Sequence, residues 1–126
     1  MSAIELPPVE PTDLRVAAEH EGDALTIRLE GTADMRVSEA LDRVLTRVHE
    51  EAQRLAVARV RVDLRALDFM NSSCLKSFVT WISNARDLAT PRRYAIHFIS
   101  RPEILWQRRS LNALRCFAVD LITVET

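Results

Sequence analysis

Apolar positions along the chain follow two periods, two residues in some stretches and three to four in others. Leu25, Ile27 and Leu29 alternate with Thr26, Arg28 and Glu30, the pattern of a strand with one buried face. Leu14 to Glu19, followed by Glu21-Gly22-Asp23, reads as its hairpin partner. After Gly31 the period changes. Val37, Leu41, Val44, Leu45, Val48, Ala52 and Leu55 recur at helical spacing, with Glu39, Asp42, Arg43, Arg47, Glu50 and Glu51 between them. Val60, Val62 and Leu64 then alternate with Arg59, Arg61, Asp63 and Arg65, a second one-sided strand. A second helix starts near Ser72, puts Leu75, Phe78, Val79, Ile82 and Ala85 on one face, and ends at Thr90-Pro91.

Tyr94 to Ile99 forms the next alternating stretch. Ser100-Arg101-Pro102-Glu103 supplies an N-cap serine, a proline in the first turn and a glutamate at the capping-box position, so the spacing predicts a third helix over Pro102 to Leu114. Arg115 to Val124 closes the domain as a strand, with Phe117, Val119, Leu121 and Val124 as its apolar positions. Residues 1–13 hold Pro7, Pro8 and Pro11 without an apolar period and read as a flexible lead-in to a single domain over 14–126.

The succession β-β-α-β-α-β-α-β predicts an α/β fold with a mixed sheet of four to five strands and right-handed crossovers. Strands covered on both faces would be apolar throughout. These keep Arg and Asp on one side, so two layers are expected, with helices mainly on one face. Arg61 and Asp63 should then be more exposed than Val60, Val62 and Leu64.

A chain of 126 residues that is 48% hydrophobic can bury one core. Its apolar runs fall short of the roughly 18 residues a membrane span needs. The acidic opening Met1-Ser2-Ala3-Ile4-Glu5 lacks a secretory pattern, so no membrane association and a cytoplasmic location are expected. Cys74 and Cys116 lack metal or disulfide spacing and read as reduced thiols. His20, His49 and His97 are scattered, and with 2 glycines there is no phosphate-cradling loop, so neither a metal nor a cofactor is expected. Formal net charge is −1, which gives no bulk attraction for nucleic acid. The charge is nonetheless uneven: residues 1–51 carry 5 Arg against 12 Asp and Glu, and residues 52–126 carry 12 Lys and Arg against 6. That asymmetry suggests a charged docking face. Arg101, Arg108, Arg109 and Arg115 make the third helix region basic, either as a solvated face or as a seat for an acidic partner or anion.

The chemistry-bearing stretch is Val60 to Lys76, in which an apolar strand passes through Asp68-Phe69-Met70-Asn71 into a Ser72-Ser73 turn that opens a helix. It resembles the signature of STAS domains of the anti-sigma-factor-antagonist type, where a strand runs into a hydrophobic-Asp-Ser-Ser-Gly-Leu turn. Gly31-Thr32-Ala33-Asp34 is similar to that family's Gly-x-x-Asp loop, and Ile104 to Phe117 to its third helix and following strand; the likeness spans about Leu14 to Val124. Two positions depart from the pattern: Asn71 stands for the usual Asp and Cys74 for the usual Gly.

The resemblance implies a STAS-like, non-enzymatic regulator that binds an anti-sigma factor or similar serine kinase. It implies a phosphorylation site at Ser72, with Asp34, Asn71, Ser73, Cys74 and Lys76 on the docking face. Trp81, off the main apolar stripe, is expected at the edge of that face. For Ser72 the plainer role is an N-cap, and the two roles are compatible. Two alternatives stand beside this reading: a constitutive scaffold or oligomer subunit without phosphorylation, and a serine-lysine hydrolase using Ser73 and Lys76 of an S-x-x-K match that lacks its S-D-N and K-T-G companions; a homodimer is compatible with the leading reading. Cys74 at the helix start is either a buried inert thiol or a redox sensor.

Overall fold

The computed structural model describes residues 2–9 and 13–125. Strand β1 (Ser2–Ile4) lies beside β2 (Leu14–Glu21), which pairs with β3 (Ala24–Ala33). Then come a 3₁₀ turn (Met35–Val37), α1 (Ser38–Arg54), β4 (Arg59–Met70), α2 (Ser72–Arg86), β5 (Ala95–Ile99), α3 (Leu105–Phe117) and β6 (Ile122–Glu125). The six strands follow chain order across one sheet, antiparallel from β1 to β3 and parallel from β3 to β6. Because each crossover advances in the same direction and is right-handed, all three helices fall on one face, giving the expected two layers.

Six strands replace the expected four to five because Ser2–Ile4, within the expected lead-in, pairs with His20 to Ala18. Three residues are too short to show a period. Residues 10–12 of the lead-in lie outside the described ones.

The inner face carries Leu25, Ile27, Leu29, Val60, Val62, Leu64, Ile96 and Phe98, packed under Leu41, Val44, Val48, Phe78 and Ile82. The outer face is polar, with Arg15–Glu30 (3.0 Å), Arg28–Glu19 (3.6 Å) and His97–Glu125 (3.1 Å) contacts laid across neighbouring strands. Arg61 is exposed as expected, but Asp63 is not: only 5% of it reaches solvent. It faces outward and is covered by its own partners, Arg65 at 2.9 Å and Arg28 at 3.6 Å. The Arg65 guanidinium holds its carboxyl below the usual range against the cost of burial.

Strand β4 runs well beyond the alternating stretch seen in the sequence. Between Arg28/Asp63 and Glu30/Ala66, and again between Gly31/Leu67 and Thr32/Phe69, β4 contributes one residue more than β3. These two bulges change the spacing of inward positions from two to three, so that Leu64, Leu67 and Met70 all point to the core. β5 stops at Ile99 opposite Asp63, leaving the second half of β4 as an overhang.

Three other boundaries differ from expectation, the first being that α2 ends at Arg86, with Thr90-Pro91 opening a separate 3₁₀ turn. Helix α3 starts at Leu105, because the Ser100 backbone N–H (2.9 Å) and hydroxyl (3.2 Å) both donate to the Glu125 carbonyl and fasten β5 to β6. Glu103 pairs with Arg101 at 2.7 Å. The last strand begins at Ile122, since the chain after Phe117 turns on the Ala118 carbonyl, which accepts from Leu121 and Ile122. No helix among the described residues is long and apolar enough to cross a membrane.

Helix α1 ends in a Schellman motif: Val57 N–H donates to Ala52 O (3.1 Å) and Ala56 N–H to Gln53 O (3.1 Å). Ala56 takes the left-handed conformation there, with φ +52°. An L side chain is strained in that region, so Ala56→Gly is expected to stabilise the fold by about 0.5–1 kcal/mol. A higher urea midpoint at unchanged slope is the expected result; a lower midpoint would contradict it.

Candidate functional site

The site lies where β3 and β4 end side by side. Ala33 and Met70 are register partners, and the Asn71 N–H donates to the Ala33 carbonyl at 2.9 Å. The chain leaves each strand into a helical turn that opens on a side-chain cap. Asp34 Oδ1 accepts from the Arg36 N–H at 2.9 Å to cap the 3₁₀ turn, and Asn71 Oδ1 accepts from the Cys74 N–H at 3.0 Å to cap α2. The Cys74 thiol donates to the Asp34 carbonyl at 3.3 Å and ties the two turns together. Parallel pairing has thus joined two motifs that lie far apart in sequence.

Asn71, not Ser72, is the N-cap. An amide oxygen does this job as well as a carboxylate, which accounts for asparagine at this position. Ser72 is the first helical residue, exposed, with its hydroxyl free of the capping role. Ser73 is half-buried, and its carbonyl accepts from the Ser77 hydroxyl at 3.4 Å. Lys76 is exposed one turn further on. Asp34 is partly buried and committed to Arg36, whose guanidinium reaches both carboxylate oxygens and also Asp13. That pairing holds the Asp34 carboxyl below its usual range.

Two residues expected on the docking face lie inside the molecule. Cys74 is fully buried, and burial, reinforced by the charges of Asp34 and Asp42, pushes its thiol up to about 11. It is an interior, protonated thiol, which removes the basis for a redox sensor at neutral pH. Trp81 is 2% exposed. Its indole N–H donates to the Tyr94 hydroxyl at 2.8 Å, a partner on the segment entering β5 that lets an off-stripe tryptophan enter the core.

Two exposed apolar side chains border the site, and the sequence motifs did not single them out. Met35 (70% exposed) follows Asp34, and Phe69 (46%) precedes Met70 and Asn71 on β4. Their only sequence signal is position, beside the Gly-x-x-Asp loop and the strand-to-helix turn. An exposed hydroxyl flanked by apolar side chains at the carboxyl edge of a parallel sheet makes a surface suited to binding.

No family model matches the chain, and no curated protein is detectably similar to it. Among solved structures it is similar to the crystal structure of an anti-sigma factor antagonist from Mycobacterium paratuberculosis, with a TM-score of 0.67 and 16% identity over 94% of this chain and 90% of that one. At that identity the likeness is one of fold, and it is the fold expected from the STAS resemblance.

Proposed function

We propose that this protein is a cytoplasmic, non-enzymatic regulator of the anti-sigma factor antagonist type. On this reading it docks an anti-sigma-factor-like serine kinase on the face around Ser72, and phosphorylation of Ser72 releases it. The observation that carries the reading is the exposed Ser72 hydroxyl at the start of α2, where the paired ends of β3 and β4 also leave Met35 and Phe69 exposed. A partner covering these apolar side chains buries the hydroxyl with them.

Transfer of the γ-phosphoryl group of ATP to the Ser72 oxygen would place roughly −1.5 to −2 charges in that surface. The first turn of α2 tolerates them in the free protein, because its N–H groups and dipole favour an anion, and Lys76 lies one turn away. A desolvated interface does not. The departures from the family pattern are compatible with this switch: Asn71 supplies the cap, and the Cys74 side chain points inward, away from the Ser72 surface.

The test is calorimetry of wild type, Ser72→Ala and Ser72→Asp with a purified anti-sigma-factor-type kinase, together with phosphosite mapping after ATP is added. Ser72→Asp is expected to bind about 1–3 kcal/mol more weakly. Ser72→Ala should bind like wild type and resist release by ATP. Equal affinities for all three forms, with no phosphate on Ser72, would move the protein to the scaffold reading.

A further inference from the structure

A second surface lies away from Ser72, between α3 and the sheet margin. An open groove of about 540 Å³ runs there, floored by Leu105 and Val124 and rimmed by Arg108, Arg109 and Arg115. The three arginines are exposed. Arginines on the flanking segments hold carboxylates, Arg93 with Asp120 at 3.8 Å and Arg101 with Glu103 at 2.7 Å. Arg108, Arg109 and Arg115 have no carboxylate partner among the described residues, so the groove is a local positive field on a chain of formal net charge −1.

The groove also borders an open strand edge. Among the described residues β6 is the last strand of the sheet and pairs only with β5. Ile96 N–H donates to the Leu121 carbonyl and Ser100 N–H to the Glu125 carbonyl, at 3.0 and 2.9 Å. Backbone groups alternate in direction along a strand, so Leu121, Thr123 and Glu125 face β5, and Val124 turns its N–H and C=O to the free edge. The rim from Leu105 to Arg115 covers ten helical steps, about 15 Å, which about five extended residues match.

We infer that this groove binds an extended segment of a partner protein that carries both acidic and apolar residues on one face. The segment adds a strand to β6 and turns every second side chain toward α3; of these, the apolar ones settle on Leu105 and Val124 and the acidic ones meet the arginine rim. Charge selects this occupant over a second copy of the chain, since pairing β6 with β6 would bring two arginine rims together. The apolar floor and short span favour a peptide over a nucleic acid backbone. The inference does not depend on Ser72 and stands or falls separately from its phosphorylation.

The experiment titrates the ¹⁵N-labelled full chain with an end-blocked heptapeptide of threonine carrying glutamate, valine and glutamate at its second, fourth and sixth positions, which share one face of a strand. The same peptide with lysine for glutamate, and a single-stranded oligothymidine, serve as comparison probes. Saturable shifts centred on α3 and Val124 are expected from the acidic peptide alone, with at least a tenfold slowing of Val124 amide exchange at saturation. Arg108→Glu/Arg115→Glu, two exposed positions, should lower the affinity at least tenfold while leaving the circular dichroism spectrum unchanged. No saturable shift at about 1 mM acidic peptide would overturn the proposal. So would equal binding of the lysine peptide, shifts in the same residues from oligothymidine with none from the acidic peptide, or self-association through β6.

Discussion

Replacing Gly31 by alanine is expected to cost about 3–5 kcal/mol of folding stability, a large share of what a domain of this size holds. Gly31 has φ +100°, and a Cβ built there meets the Asp13 carbonyl oxygen at 2.1 Å. That oxygen is backbone, and it is held in place because it accepts from the Thr32 N–H at 2.9 Å. Neither side can yield without breaking the start of β2 from the end of β3. The consequence reaches the site, because Asp13 also anchors Arg36, which fixes Asp34. Gly22→Ala is the matched comparison: φ is +61° there, yet nothing lies within 4 Å. It should lose only about 1–2 kcal/mol, the cost of a left-handed L residue. Urea melts of the two variants provide the check, and equal losses would show that the Asp13 contact is not what Gly31 protects.

Much of the fold was legible because burial imposes a period. The one-sided alternation of β3 and of the first half of β4 gave the two-layer arrangement, and the stripe from Val37 to Leu55 gave α1. The pattern failed where geometry breaks the period. Two bulges disguise the second half of β4 as a loop, and β1 is too short to register. At Ser100 a capping signature was present, but the same hydroxyl had a better partner in the Glu125 carbonyl, a choice made by tertiary structure.

The site divides in the same way. Asp34, Asn71 and Ser72 stand out because turns demand particular side chains, and the parallel pairing of β3 with β4 brings them together. Met35 and Phe69 do not stand out, because an exposed apolar residue reads like a buried one. Trp81 shows the converse: an off-stripe aromatic looks exposed until a distant tyrosine satisfies its N–H.

Gln107→Leu is expected to cost about 3–4 kcal/mol and to loosen the overhang of β4 selectively. Gln107 is fully buried. Its amide nitrogen donates to the Leu64 carbonyl at 2.8 Å and the Leu67 carbonyl at 3.1 Å, and its oxygen accepts from the Arg101 N–H at 2.9 Å. Those carbonyls lie beyond the last β4–β5 partners, Asp63 and Ile99, so the glutamine acts in place of the missing strand. Leucine fills a similar volume and removes all three bonds, which separates the hydrogen bonds from mere packing. Gln107→Glu restores only the acceptor for Arg101 and buries a charge, so it should not rescue. Hydrogen exchange supplies the decisive readout. Val60 to Asp63 should keep their protection, while Leu67 to Met70, the segment that presents Phe69 and leads into Ser72, should lose it. Uniform loss along β4 would mean that Gln107 supports the fold as a whole and does not specifically hold the overhang that carries the docking face.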